Sequence, residues 1–365
     1  MPLPNLKGLT LIELQAFAES LGEKKYRGAQ LYSWLYAKSA SSFAEMTDIS
    51  KSFRDLLEQS ARLENLHVAA QSQSKQDGTT KFLFKLSDGM NIESVLIPPD
   101  KSSPNAEKRL TLCVSTQVGC PLDCKFCATG TMGFLRNLSV REIVDQVLQA
   151  QKLSSRRITN IVFMGMGEPM LNYDNVMTAV DILLDERALN FSWKHVTLST
   201  AGYANRIRQM ADEDRKVKLA LSLHTLDPAK RLQLMPITKK FPVDELMEAM
   251  EYYYRKTKRR PTFEYIPFEG FNDGGEDVRR LVAISGRFPI KVNLIPFHAI
   301  AFAHPSGIGA TLKPTPRVRM EWFAEKLREE NITVMIRSSS GEDIQAACGQ
   351  LAVEHPTTPV PPPIK

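Results

Sequence analysis

The 365-residue chain has no run approaching eighteen apolar residues, which excludes a membrane-spanning helix. Its first residues, MPLPNLKGLTLIEL, lack the basic head, continuous apolar stretch and cleavage site of a signal peptide. Cysteine is scarce: five in all, an odd and small number that argues against a secreted disulfide scaffold. A cytoplasmic protein with no membrane partner is therefore expected. Strong charge of one sign is also missing. The net charge of +6 permits a polyanionic partner without demanding one. Residues 1–70 carry eight Lys/Arg against eight Asp/Glu, so a nucleic-acid patch there would need local clustering.

What the chain does have is enough apolar material for a sizeable core, 43% of its residues. Leu11, Leu14, Phe17 and Leu21 recur at helical spacing, as do Leu31, Trp34 and Leu35, and then Phe53, Leu56 and Leu57. Residues 1–65 thus read as a compact helical module. Over 66–105 the period changes. KFLFKL and NIESVLIP are strand-like runs joined by Ser87-Asp88-Gly89-Met90, a hairpin turn signal, and a polar, proline-bearing linker follows at 99–108.

From residue 106 to 352 strand and helix patterns alternate. RLTLCVST, ITNIVFMG, HVTLST, VKLALSLH, TFEYIPF and IKVNLIPF are the candidate strands, and a last apolar run, ITVMIRS, follows a helix near 316–330. Ser139 and Glu142 form a capping-box signature opening one crossover helix. The expected fold is α/β, with a parallel sheet either open or curled into a partial barrel. Chemistry in such sheets sits at the C-terminal ends of strands. The tail, 353–365, is proline-rich and expected to be disordered.

Three of the five cysteines, Cys120, Cys124 and Cys127, stand at C-x3-C-x2-C spacing. Thiolates of one short loop suit zinc or an iron–sulfur cluster. Zinc would want a fourth Cys or His nearby, and none is present. An ordinary [4Fe–4S] cluster also takes four cysteines. Three leave one iron open for chemistry.

With Phe126 before the last cysteine, this motif resembles that of the radical S-adenosylmethionine (SAM) superfamily. Phe163 to Pro169, FMGMGEP, ends a strand pattern with glycines and resembles the superfamily's Gly-Glu-Pro motif. GCPLDCKFC, GFLRNL, the segment from Met164 to Asn172, LST at 198–200, LSLH at 221–224 and AACGQL at 346–351 together resemble one family, over residues 10 to 352. It is the bacterial dual-specificity rRNA and tRNA adenine carbon-2 methyltransferases.

The resemblance implies a partial (β/α)6 radical SAM barrel with a small N-terminal helical RNA-binding domain. It implies one [4Fe–4S] cluster on Cys120, Cys124 and Cys127, and two SAM molecules per turnover. Cys348 would become S-methylcysteine. A deoxyadenosyl radical would activate its methyl group for addition to the adenine. Glu93 would remove the ring proton, and Cys113 would release the product through a transient disulfide. Implied SAM contacts are Gly167, Glu168, Ser199, Ser222, Leu223 and His224, with His298 where relatives often have Asn. Implied partners are 23S rRNA, tRNA and a flavodoxin- or ferredoxin-type electron donor, with a monomer expected.

Each residue has a plainer reading. Cys113 fits an inert buried thiol, Cys348 a close-packed small residue, Glu93 a solvated strand carboxylate, and His224 a structural histidine. Candidate RNA contacts are the basic-aromatic stretch Tyr252 to Arg260, the segment Lys24 to Arg27, and Arg136. The rival functions are adenine carbon-8 methylation of rRNA and a non-catalytic, zinc-stabilised RNA-binding protein.

Overall fold

The structure is a computed structural model, which describes residues 3–99 and 109–353. Most of the polar linker and the proline-rich tail lie outside the described residues. Among the described residues no helix is long and apolar enough to cross a membrane.

The N-terminal segment folds into α1 (Leu11–Ser20), α2 (Tyr26–Tyr32) and α3 (Lys51–Ser60), with a short π-helical turn continuing α2. Thr10 and Glu13 cap α1 reciprocally, which satisfies two of its free N–H groups. Tyr36 binds this module together: its hydroxyl accepts from the Gly8 N–H and donates to the Leu9 carbonyl.

Among the described residues twelve strands follow. They are β1 (His67–Gln73), β2 (Thr80–Lys85), β3 (Asn91–Ile97), β4 (Thr111–Cys113), β5 (Gln117–Gly119), β6 (Phe134–Asn137), β7 (Asn160–Phe163), β8 (Val196–Thr200), β9 (Lys218–Ser222), β10 (Thr262–Tyr265), β11 (Lys291–Leu294) and β12 (Thr333–Ile336). Ten form one sheet in the order β1-β2-β3-β4-β7-β8-β9-β10-β11-β12, and β5 pairs with β6. From β4 to β12 all neighbours are parallel. The sheet is open, with edges at β1 and β12, so the barrel is partial.

The six expected parallel strands are present, and ITVMIRS adds a seventh. The expected hairpin is β2–β3, closed where Leu86 N–H bonds Met90 O at 2.8 Å. It belongs to the main sheet, because β3 pairs antiparallel with β4 and aligns Val95 with Cys113. Strand β1 has no counterpart in the sequence reading. Its residues HVAAQSQ are nearly all exposed, so no apolar alternation marks it.

The crossover helices are α4 (Ala128–Thr131), α5 (Val140–Leu153), α6 (Tyr173–Leu184), α7 (Ala204–Asp212), α8 (Pro228–Leu234), α9 (Val243–Thr257), α10 (Gly275–Ser285) and α11 (Arg317–Glu329). Ser139 and Glu142 form the expected capping box of α5. The N-terminal segment meets this core at α5, through a fully buried ion pair between Lys7 and Asp145 at 2.7 Å.

Candidate active site

The loop after β5 carries the three clustered cysteines. It turns sharply at Gly119, with φ +72°, where a Cβ would stand 1.9 Å from the Gly133 carbonyl oxygen. Only glycine fits there. Cys120 N–H then bonds Gly133 O at 2.8 Å, and Cys127 N–H bonds Cys124 O at 3.1 Å.

Cys120, Cys124 and Cys127 line one wall of a cavity of about 150 Å³ over the C-terminal ends of the parallel strands. Burial pushes the Cys120 thiol up to about 12 and also raises Cys124 and Cys127. Thiols so placed keep their protons until a cationic centre displaces them. Among the described residues no three His, Cys, Asp or Glu side chains converge on the position of a single metal ion. A cluster asks for a different arrangement, one thiolate for each of three separate irons. Three soft donors around one cavity fit that group.

The opposite wall is built from the glycine-rich turn after β7. Gly167 has φ +97°, and a Cβ there would meet Gln117 Cβ at 2.5 Å. Glu168 is buried beside it. Its carboxylate accepts from Ala201 N–H at 2.8 Å and Met170 N–H at 3.0 Å. Burial outweighs these donors and pushes the carboxyl up to about 7. Ser199 and Ser222, on β8 and β9, also line the cavity, with hydroxyl oxygens 3.2 Å apart.

His224 lines the cavity as well, held with φ +58°. Its Nδ1 accepts from Ile266 N–H at 3.1 Å, so the neutral ring carries its proton on Nε2. Burial, with help from Arg231, lowers its pKa to about 3. The ring meets Phe126 edge to face at 4.5 Å. Leu223 does not line the cavity; its backbone N–H bonds Glu264 O and its carbonyl accepts from Arg231. His298 is also outside the lining, where Nδ1 lies 3.2 Å from Glu342.

Cys348 arrives from more than two hundred residues away. Its loop is pinned to the cluster loop by Ala128 N–H to Gly349 O at 2.7 Å and by the Thr129 hydroxyl to Leu351 O at 2.6 Å. Gly349, with φ +84°, packs where a Cβ would lie 3.1 Å from Phe126 O. Cys348 is open to solvent within the cavity, yet protein crowds it. Burial raises its thiol pKa while Arg337 pulls it down. Cys113 lies close enough to feel Cys348. Burial first, then Cys348, pushes it up to about 12.

Glu93 shares its face of β3 with Val95, the partner of Cys113. It is buried, not solvated. Its carboxylate pairs with Lys81 at 3.0 Å and accepts from Ala352 N–H at 3.1 Å, four residues beyond Cys348. Burial raises its pKa and Lys81 opposes the rise.

Arg231 has no place in the sequence reading. It is wholly buried on α8, and its guanidinium donates to Ala201 O at 2.6 Å, Thr238 Oγ1 at 2.8 Å, Leu223 O at 3.2 Å and Ser222 O at 3.3 Å. It thus ties together the loops that follow β8 and β9. Arg231→Met is expected to lower unfolding stability by on the order of 3 kcal/mol in chemical denaturation, because several buried carbonyls lose their donor. Arg231→Lys is expected to recover only part, since one ammonium cannot reproduce the planar fork.

Two of the expected RNA contacts are already engaged within the chain. Tyr252 and Lys256 both reach Asp212 at 2.6 Å, Arg255 pairs with Glu251, and Arg259 pairs with Asp214. Arg136 bridges Asp88 and Glu142 at 2.6 and 2.8 Å. In the N-terminal segment Arg27 pairs with Glu23 at 3.6 Å, while Tyr26 is exposed.

Comparison with known proteins agrees with this geometry. The radical SAM superfamily matches residues 114–282, and the ribosomal RNA large subunit methyltransferase N-terminal domain matches residues 4–63. A probable dual-specificity RNA methyltransferase RlmN of Thermus thermophilus is 44% identical over 355 residues, 95% of this chain and 96% of the relative. The dual-specificity RNA methyltransferase RlmN of Syntrophobacter fumaroxidans is 43% identical over 352 residues, 96% of this chain and 98% of the relative. The crystal structure of a radical SAM methyltransferase from Sphaerobacter thermophilus matches with a TM-score of 0.86 at 37% identity, covering 96% of this chain and 99% of that one. On likeness that spans nearly the whole chain in both sequence and fold, this chain belongs to the radical SAM family of dual-specificity RNA methyltransferases.

Proposed function

We propose that this protein methylates carbon 2 of adenosine in 23S rRNA and in a subset of tRNAs, at the adenosine 3′ of the anticodon. The observation that carries the reading is the convergence of Cys348 on the cavity lined by Cys120, Cys124 and Cys127, with Cys113 beside it. An electron-poor ring carbon has no lone pair with which to attack a methyl sulfonium. A protein thiol does, and Cys348 is open to solvent in the cavity.

Cys120, Cys124 and Cys127 would hold a [4Fe–4S] cluster. Glu168, Ser199, Ser222 and His224, with the backbone at Gly167, would hold SAM beside it. Leu223 contributes by fixing the strand end, and His298 acts from outside the lining. When bound, the cluster and SAM supply a one-electron cleavage that yields a hydrogen-abstracting radical. Cys348 presents the methyl group to be activated and then carries the adenine adduct. Glu93, aimed by Lys81, would take the ring proton as the radical adduct gives up its one unpaired electron, which the oxidised cluster would accept. The Cys113 thiolate next attacks Cys348 sulfur. An S–S bond forms as the S–C bond breaks, and the methylene carbon takes a proton to complete the methyl group. An external thiol reopens the disulfide.

Residues 1–65 would act as the RNA-binding accessory domain, 66–105 as hairpin and linker, and 106–352 as the catalytic core. A flavodoxin or ferredoxin would reduce the cluster, and the protein would work as a cytoplasmic monomer.

Nucleoside mass spectrometry tests the reading. Anaerobically reconstituted protein with SAM, reductant and unmethylated RNA is expected to yield 2-methyladenosine from both rRNA and tRNA. 8-Methyladenosine instead would move the protein to the carbon-8 branch.

Lys81→Met tests the base. Without the ammonium, burial raises the Glu93 pKa further, and a larger share of the carboxyl is protonated. Methylation is expected to fall about ten- to a hundredfold at neutral pH and to recover as pH rises. A pH–rate profile parallel to the parent's would remove Glu93 from this role.

A further inference from the structure

A group of cations stands inside the barrel with little to balance it. Asn293 Nδ2 donates to Glu264 Oε1 at 2.9 Å, and Glu264 lines the cavity, so this face of β10 and β11 points inward. Lys291, two residues before Asn293, shares that face. Lys218, four residues before the cavity-lining Ser222, points inward from the start of β9. Arg109, four residues before Cys113, takes the same side of β4, and its Nε donates to Thr111 Oγ1 at 3.2 Å. Arg337 follows β12, its N–H on Leu294 O at 2.8 Å, and acts on both Cys113 and Cys348.

Among the described residues none of these four side chains makes an ion pair. They do feel one another: after burial, Arg109, Lys291 and Arg337 hold the Lys218 pKa down, and Arg337 does the same to Arg109. Glu264 is the one carboxylate acting on Lys218 and the one acting on Arg337, so a single carboxylate faces four cations, and its Oε2 has no hydrogen-bond partner. Arg109, Lys218 and Lys291 are nevertheless solvent-exposed, as side chains in an open barrel are.

We propose that Arg109, Lys218, Lys291 and Arg337 form a track for the phosphodiester backbone of the RNA, running from the N-terminal strand ends up to Cys113 and Cys348. The proposal rests on the reading of the protein as an RNA methyltransferase. Clustered, unpaired cations repel each other, and an incoming polyanion relieves that repulsion and releases counterions. SAM does not account for the lower end of the track. Its proposed contacts lie at the C-terminal strand ends, whereas Arg109, Lys218 and Lys291 are at the opposite ends. A target adenosine extruded from its stack brings its flanking phosphates with it. The track delivers those phosphates towards the two thiols.

The experiment measures RNA affinity against salt for the reconstituted full chain. The probe is a short RNA hairpin with an unmethylated adenosine in its loop. The paired change Lys218→Gln and Lys291→Gln is expected to weaken binding about tenfold, and to flatten the slope of log affinity against log salt by roughly 0.7 per lost contact. Lys218→Arg with Lys291→Arg is expected to keep parental binding and slope. Iron content and the unfolding midpoint identify the folded variants. If the parent binds and methylates RNA but the glutamine variant matches its affinity and slope, the track is wrong and the function stands. Weakening by the arginine pair to the same extent also overturns the track, because charge is then not the cause. A parent that neither binds nor methylates RNA overturns both.

Discussion

Cys113→Ala is expected to stop the enzyme after one round, with RNA covalently attached through Cys348. In the proposed sequence Cys348 would still carry the methylene bridge to the base, because Cys113 would take no part until release. Without a second sulfur, the S–C bond has no nucleophile to break it. Denaturing gel electrophoresis would show the protein shifted by the mass of RNA. After nuclease digestion, peptide mass spectrometry would place an adenosine adduct on Cys348. Turnover is expected to fall by on the order of a hundredfold or more. The structure supports Cys113 because it stands near enough to Cys348 for the two thiols to act on each other, and Arg337 opposes the burial that would keep it protonated. Parental turnover by Cys113→Ala would assign release to something else. Cys113 would then be the inert strand thiol that its burial also suits.

Cys120→Ala is expected to lose bound iron and sulfide and to reduce methylation to background. Each of the three cysteines would have its own iron to hold, so one deletion would leave two protein ligands for a cluster that already lacks a fourth. The fold is expected to survive. The turn at Gly119 rests on the backbone bond from Cys120 N–H to Gly133 O, which alanine keeps. Circular dichroism matching the parent, with iron and sulfide absent, is the expected pair of results. A variant that retains cluster and activity would remove Cys120 from the ligand set.

Much of this was legible in the residues themselves. Cys120, Cys124 and Cys127 could be read as a candidate metal-binding set because bringing them to one cavity needs only one short loop. The parallel strands were readable because each buried strand is a short apolar run between turn residues. The capping box at Ser139 was readable because its partners are three residues apart. Strand β1 was not, being a polar edge whose burial pattern carries no alternation. The little β5–β6 ladder was too short to leave a pattern.

The pairing of the basic-aromatic stretch was hidden for a different reason. Tyr252 to Arg260 has the composition of an RNA-binding surface. Its partners, Asp212 and Asp214, are some forty residues earlier, on α7 and just past it. Arg231 hid in the same way. In PAKRLQL it resembles a surface residue, and only packing of α8 against the ends of β8 and β9 makes it a buried tie.

By itself, then, the sequence determined the alternation of strands and helices, the three-thiolate loop and the glycine turns, since each depends on neighbours within a few residues. Family resemblance singled out Glu93, Cys113 and Cys348, which composition and spacing left as ordinary residues. Tertiary structure decided the rest. It brought Cys348 across more than two hundred residues to Cys113, buried Glu93 against Lys81, absorbed one set of cations into ion pairs and left another facing into the barrel. Such facts depend on which distant strands become neighbours. That is set by the closing of the whole sheet around its core, and no local pattern encodes it.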